Sequence, residues 1–344
     1  MRPRPSEMLP RSALVVIPCF NEEDHIERVV TKLAAEKDSV NLTIVVADGG
    51  STDQTRTIVK RLAESNPRIA LMHNSKRIQA AAVNAAVRKY GGEARFLIRV
   101  DAHADYPDRY CERLLKVQTR TQADSIVVSM HTKGHNCFQR AAAAAQNSIL
   151  GNGGSSHRND TRSCWVDHGH HALMTIDAFS AVGGYDETFS HNEDAELDAR
   201  LTAAGFRIYL TGETKVAYYP RGAASALFQQ YFNIGRGRAR NFIRHRNGAK
   251  LRHLMLAGVA PAICLVLMAP FSVFFALPAL GWALLCLGYG VILGIRLRDA
   301  CASAAGIAAI AMQAGWSFGL FAGLKTEFSR ADARSSIGWL DESA

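Results

Sequence analysis

Apolar and polar positions alternate in blocks along the first two-thirds of the chain. Residues 13–17 form a short apolar run ended by Pro18, and 42–47, 69–72 and 96–100 are three further runs of strand length, rich in β-branched residues. Between them lie segments with helical character. One runs from about 22 to 35 with Asn21 as its cap, and one reaches about residue 63 behind Ser51, Thr52 and Asp53. An alanine-rich one covers about 79–90. Strands separated by helices of this length predict an α/β domain with a mostly parallel, doubly wound sheet. After Tyr110 the rhythm changes. Strands are expected at 125–130 and 172–175, a polar stretch rich in Gly, Ser and His at 131–165, a helix at about 194–204, and strands at 206–210 and 215–219. A long polar stretch inside a compact domain is usually functional. No internal repeat is visible.

The last third is different. No Asp or Glu occurs from 214 to 298, and no charge of either sign from 254 to 295. Segments 254–276 and 278–295 are apolar enough to cross a bilayer, the first spanning about 34 Å as a helix. Segment 300–324 is richer in Ala and Gly and is a weaker third crossing. The overall formal charge is +9, which by itself suggests nucleic acid. Its distribution points elsewhere: Arg236, Arg238, Arg240, Arg244, Arg246, Lys250 and Arg252 stand together just before the first apolar segment. Juxtamembrane cations favour the cytoplasmic face and anionic headgroups. No nucleic-acid-binding motif accompanies them, so no nucleic-acid partner is expected. The loop at 296–298 and the later Lys325, Arg330 and Arg334 also suit the cytoplasm, and three crossings cannot place both there. A third segment lying in the interface would resolve the conflict. The seven cysteines show no CxxC pair and read as free thiols of a reducing compartment. Residues 1–11 contain no apolar core of a signal peptide, so the N-terminal domain is expected to stay in the cytoplasm, anchored to the inner membrane by a multi-pass C-terminal region.

Ligands of an open parallel sheet bind beyond the carboxyl ends of its strands. Those ends carry Pro18-Cys19-Phe20-Asn21-Glu22, Asp48-Gly49-Gly50-Ser51-Thr52-Asp53 and Asp101-Ala102-His103, so three strand ends deliver carboxylates to one edge. With PCFNEE at 18–23 and ADGGSTD at 47–53 in this order, residues 12–245 resemble the family 2 inverting glycosyltransferases of the GT-A fold. The resemblance implies a nucleotide-sugar-binding domain over 10–225. Within it, Asp48 binds the uracil of a UDP-sugar donor, and Pro18, Asn21 and Glu22 line the nucleoside pocket. Taken alone, Asp48-Gly49-Gly50 is also an ordinary turn with a helix cap. Asp101 and His103 stand at the place of the family's metal motif, which implies a divalent cation, Mg²⁺ or Mn²⁺, bridging the donor diphosphate. The bland alternative is a cap and a solvated histidine. In NSKRIQAAAVN at 74–84, Arg77 corresponds to a donor contact, or is a surface arginine at a helix start.

His191-Asn192-Glu193-Asp194 resembles the family's acidic motif. The resemblance makes Asp194 the base that takes the acceptor hydroxyl's proton, with Glu193 beside the acceptor. One base without a protein nucleophile implies a single inverting displacement. Paired acids at a helix start also occur for dipole reasons alone. In WVDHGHH at 165–171, Trp165 is placed to stack on an acceptor sugar and His168 to bond its hydroxyl, with core packing of Trp165 as the alternative. Three histidines in four residues suggest zinc, but no cysteines stand at ligand spacing, which disfavours it. QQYFNIGRGRAR at 229–240 lies where relatives carry Gln-x-x-Arg-Trp. The Trp is missing, which weakens the case for a processive synthase and leaves Arg236 as a diphosphate contact. Apolar residues among these cations suit a basic interfacial helix at 226–253, followed by two or three transmembrane helices in 254–324 and a polar tail at 325–344.

GRGRAR, NED and VDHGHHA are together similar to the succinoglycan-type glucosyltransferases of bacterial exopolysaccharide assembly. That likeness implies transfer of glucose from UDP-glucose to a polyprenyl-diphosphate-linked saccharide. Two rivals stand beside it: a polyprenyl-phosphate glycosyltransferase acting directly on lipid phosphate, and a catalytically silent nucleotide-binding scaffold of an export complex.

Overall fold

In the computed structural model, residues 12–36, 41–152, 162–189, 191–245 and 250–341 are described. Parts of the expected segments fall outside them: residues 10–11, the middle of the polar stretch (153–161), Arg246 in the basic cluster, and the last three residues of the tail. The elements follow in the order β1 (Ser12–Cys19), α1 (Ile26–Ala34), β2 (Asn41–Asp48), α2 (Thr55–Ser65), β3 (Ile69–His73), α3 (Gln79–Tyr90), β4 (Phe96–Arg99), α4 (Tyr110–Thr121), β5 (Ser125–Thr132) and α5 (Cys137–Gln146). Then come β6 (Cys164–Val166), β7 (His170–Thr175), α6 (Ile176–Ala181), α7 (Glu193–Ala203), β8 (Ile208–Tyr218), α8 (Ala224–His245), α9 (Leu251–Ala257), α10 (Val259–Leu265), α11 (Leu277–Leu297) and α12 (Ala305–Asp341). The chain divides into two compact units, one of residues 1–131 and 159–218, the other of 132–158 and 219–344.

The first unit is built on one sheet of order β3-β2-β1-β4-β7-β5-β8-β6. Its first four strands pair in parallel. β7 then runs antiparallel to β4 and to β5, and β6 antiparallel to β8. The apolar runs are continuous because both faces are covered. Ala13, Val15 and Ile17 of β1 pack with α1, α2 and α4 on one face, while Leu14 and Val16 pack with α3, α6 and α7 on the other. Three expectations change. The stretch at 131–165 is not one polar loop but holds α5, with Ala141 to Ala145 buried. The strands at 206–210 and 215–219 are one strand, β8, which runs straight through Thr211-Gly212-Glu213. Asn21 does not cap α1. Its backbone is left-handed (φ 54°), and its side chain accepts from Thr52 instead, so the helix starts later, at Ile26.

The second unit is helical. Three stretches are long and apolar enough to cross a membrane: Leu251–Met268, Val273–Leu297 and Cys301–Ser329. The expectation of free thiols throughout is corrected here. Cys137 at the start of α5 is disulfide-bonded to Cys301 in the turn before α12, across 164 residues of sequence, with Cα atoms 5.0 Å apart. Arg140, one turn further along α5, pairs with Asp299 of the same turn at 2.7 Å. Tertiary folding, not sequence spacing, brings these cysteines together, which is why no pattern announced them. The other five are free.

Candidate active site

Two loops at the carboxyl ends of β1 and β2 are stitched together by their own side chains. The Asn21 backbone N–H donates to Ser51 Oγ at 2.9 Å, and Thr52 N–H returns a bond to Asn21 Oδ1 at 2.9 Å. Glu22 N–H donates to Thr55 Oγ1 (2.8 Å), Glu23 N–H to Asp53 (3.1 Å), and Gln54 N–H to Glu23 (2.8 Å). The polar residues of PCFNEE and DGGSTD are thus partners of each other, and Pro18 lies opposite Ala47 in the parallel register. Asp48 is 1 % exposed. Its carboxylate accepts from Gly50 N–H at 3.0 Å and Ser51 N–H at 3.1 Å, closing its own turn. A carboxylate has room for further donors. The exposed Arg77, itself left-handed (φ 57°), lies over Gly50 of that turn.

The acidic centre sits where β4 ends and β7 begins. Because β7 is antiparallel to β4, with Ile98 opposite Leu173, the first residues of β7 come to the edge where Arg99 and Asp101 leave β4. Arg99, 6 % exposed, is the hub. Its guanidinium donates to Asp194, to Gln79 Oε1 (2.7 Å) and to Tyr185 Oη (3.3 Å). It also lies 3.6 Å from Glu193 and 3.8 Å from Asp101. Sequence reasoning passed over Arg99, although a cation inside an otherwise apolar strand run was the available signal.

Behind Asp194 lies a second tier, also unforeseen. Asp194 and Asp198 are one helical turn apart on α7 and so share a face. His171 bridges that face: its Nε2 is 2.6 Å from Asp198 and its Nδ1 is 3.3 Å from Asp194 and 2.8 Å from Tyr185 Oη. Tyr185 Oη is in turn 3.1 Å from Asp194 Oδ1. Asp198 also receives His168 Nδ1 (2.7 Å) and Gly169 N–H (3.2 Å). His168, expected at an acceptor sugar, is therefore found against Asp198. The signal for this tier was present as two carboxylates at i and i+4 opposite paired histidines.

Electrostatics follow from this crowding. Burial raises the Asp194 carboxyl, but Arg99 first and His171 second outweigh it and hold the group well below the usual carboxylate range. Glu193 goes the other way: burial and the adjacent Asp194 charge push it up to about 7 against the pull of Arg99. Burial lowers His170, which stands 3.7 Å from Asp101, against the attraction of Asp101 and Asp194. His171 is raised well above its ordinary value. Burial opposes this, and Asp198 leads the groups that favour it.

Asp101 Oδ1 is buried and has no hydrogen-bond partner, so it is an acceptor awaiting a donor or a cation. His103 Nδ1 lies 2.9 Å from Glu22. No three His, Cys, Asp or Glu side chains among the described residues are grouped to hold a metal ion. One or two protein ligands are nevertheless enough for a cation that takes its remaining oxygens from a diphosphate, and Asp101 fits that role. Trp165 lies apart from the acidic centre on the edge strand β6. It is 44 % exposed, with the Arg207 guanidinium 3.6 Å over its ring and Tyr209 edge-on at 5.0 Å. Arg236 is exposed on α8 of the second unit.

Comparison with known proteins gives three findings. The model of glycosyl transferase family 2 matches residues 14–183. The succinoglycan biosynthesis protein ExoA of Rhizobium meliloti is 51% identical over 315 residues, covering 92% of this chain and 96% of that protein. Among solved structures, the mannosyltransferase PcManGT from Pyrobaculum calidifontis in complex with GDP-Man and Mn²⁺ superposes with a TM-score of 0.57 at 19% identity, covering 94% of this chain and 89% of that one. At that identity the likeness concerns the fold.

Proposed function

The chain belongs to glycosyl transferase family 2, with the GT-A fold, and on that premise we propose that it transfers a hexose from a UDP-sugar to a polyprenyl-diphosphate-linked saccharide, with inversion, in exopolysaccharide biosynthesis. One observation carries the reading: half of all positions are shared, over nearly both full lengths, with a succinoglycan biosynthesis protein. Glucose is the proposed sugar because GRGRAR, NED and VDHGHHA resemble the succinoglycan-type glucosyltransferases. A more distant relative from Methanococcus voltae, 24% identical over 64% of this chain, is named for transfer to a dolichyl-phosphate-linked sugar. That name favours the lipid-linked acceptor.

In this proposal Asp194 is the base. It is ionised, sits at the helix start beside Arg99, and receives the acceptor hydroxyl's proton as that oxygen attacks the anomeric carbon. Glu193 faces the acceptor. Pro18, Asn21, Glu22 and Asp48 form the nucleoside pocket, with Asp48 on the uracil, while Arg77 contacts the diphosphate. Asp101, with His103, holds the divalent cation, which would neutralise the departing nucleoside diphosphate.

The test uses membranes carrying the full chain, Mn²⁺ or Mg²⁺, labelled UDP-glucose and a galactosyl-diphosphate-polyprenol acceptor. Label is expected in a butanol-extractable lipid, lost with Asp194→Asn while UDP binding survives, and lost together with metal dependence in Asp101→Ala. Label on bare polyprenyl phosphate would move the chain to the rival lipid-phosphate reaction. Full transfer by Asp194→Asn would discard the base.

A further inference from the structure

Arg99 leads the groups that hold Asp194 ionised and His171 follows it, so the second tier behind the carboxylate requires its own explanation. His171 is completely buried, and so is Asp198 apart from 1 % of its surface. A buried charge pair is costly to assemble, and structures keep one only where its geometry is excellent and its remaining hydrogen-bonding positions are filled. Here they are filled. Asp198 takes hydrogens from His171, His168 and Gly169. The proton arithmetic of the imidazole is then constrained. Nε2 faces an acceptor-only carboxylate and must carry a hydrogen. Nδ1 faces Tyr185 Oη and Asp194 Oδ1. Tyr185 has one hydroxyl hydrogen. If it is given to Asp194, Nδ1 must also carry a hydrogen, and every contact in the chain from Asp198 to Asp194 is then a donor meeting an acceptor.

We propose that His171 is a buried imidazolium, clamped between Asp198 and Asp194, and that it acts as the positioning residue of the base, fixing the Asp194 carboxylate directly and through Tyr185. The role rests on Asp194 being the base. His171 itself touches neither substrate nor metal. Arg99 Nη1, Tyr185 Oη and His171 Nδ1 all converge on Asp194 Oδ1 and pin that oxygen at the start of α7. Hydrogen bonds to and from charged groups in such a network are about twice as strong as neutral ones. The groups facing the imidazole are Asp194 and Asp198 from α7 and Tyr185 from the loop before it. Arg99 of β4 stands 3.3 Å behind Tyr185, His168 stands behind Asp198, and Glu193 and His170 adjoin in sequence.

The sign of the pH dependence follows. The imidazolium is lost as pH rises through its raised value, so kcat should fall on the alkaline side. Removing the Asp198 charge lowers that value, because one opposite charge at contact is worth about 1–3 pH units. Asp198→Asn should therefore move the alkaline limb of kcat to lower pH by at least about one unit with the KM for the sugar nucleotide unchanged. His171→Gln should be slower at every pH and lack that limb. A purely structural role would lower the amount of folded protein and leave the limb where it is, which would overturn the proposal. If either variant fails to fold, the wild-type chain decides: with ¹⁵N-labelled histidine, one doubly protonated imidazole should persist at pH values where the exposed histidines have become neutral, and its absence refutes the imidazolium. That spectrum is independent of catalysis. Transfer surviving in Asp194→Asn sinks the base reading and the positioning role with it, whereas an unmoved limb beside an inactive Asp194→Asn sinks this proposal alone.

Discussion

Arg99 carries more of the acidic centre than any other single side chain. It lies within reach of Asp101, Glu193 and Asp194, three acidic groups that crowd the end of one strand and the start of one helix. Replacing it with leucine would keep the bulk in β4 and leave those acids without their cation, and breaking a buried pair by removing one partner costs about 3–5 kcal/mol. Arg99→Leu should therefore melt far below the wild-type chain in detergent, and Arg99→Lys in between, since lysine keeps the charge but lacks the planar fork. Equal melting temperatures for the leucine variant and wild type would refute the hub. The acids themselves were legible in the sequence because each closes a strand or opens a helix in a recognisable order. The cation and the His171–Asp198 pair were not, because their meaning arises only when antiparallel β7 is laid beside β4. A histidine in a strand gives no hint of what stands opposite.

Among elements, the legible part is the parallel half of the sheet. Its continuous apolar runs have one reading, and the polar tails of β1 and β2 turn out to be complementary donor and acceptor sets. The run through β8 was misread as two strands because Thr-Gly-Glu-Thr resembles a turn locally, whereas Thr211 and Thr214 are both buried within one strand. The packing of α12 was not legible at all. Its Gly315, Gly319 and Gly323 recur every fourth residue and form a bare strip. Onto that strip α8 lays its backbone: a Cβ at Gly315 would come within 2.5 Å of Phe228 O, one at Gly319 would collide with Phe232 O, and one at Gly323 would come within 2.8 Å of Arg236 O. Gly319→Leu should force the two helices apart and expose Trp316 and Leu320, now buried beside Ala239. The expected outcome is a sharp loss of folded protein on size-exclusion chromatography, while Gly281→Leu, where a Cβ meets nothing within 4 Å, is neutral. Similar profiles for both would mean that the strip does not hold the helices.

For the whole molecule, this packing decides how the chain meets the membrane. Length and composition alone allow α12 to cross. Its surroundings differ from those of the other two stretches. The stretch Leu251–Met268 is 11% buried and Val273–Leu297 17%, as expected of helices that give their surface to lipid, whereas Cys301–Ser329 is 56% buried against protein. Its cover is α8, α5 and also α11, whose Trp282 donates to Gln313 of α12 at 2.7 Å, and α8 carries Arg236, Arg238, Arg240 and Arg244, with Arg240 3.9 Å from Glu327 of α12. A crossing that ran on past Gly323 would carry Arg236 and Arg240, which lie beside Gly323 and Glu327, towards membrane depth at about 2.5–3.5 kcal/mol each on insertion scales. With only the first two stretches crossing, the turn holding Asp299 and Cys301 returns to the side of α8. There the Cys137 disulfide and the Arg140 ion pair tie α5 to it. The conflict between the cations at 296–298 and those after 325 also disappears, since both lie on one side. Reporter fusions that read sidedness check this directly. A fusion ending after residue 272 should report the side opposite to α8, and fusions ending at 299 and at the C-terminus should both report the side of α8. A C-terminal reporter on the far side would mean that α12 crosses after all, with α8 separated from it in the membrane.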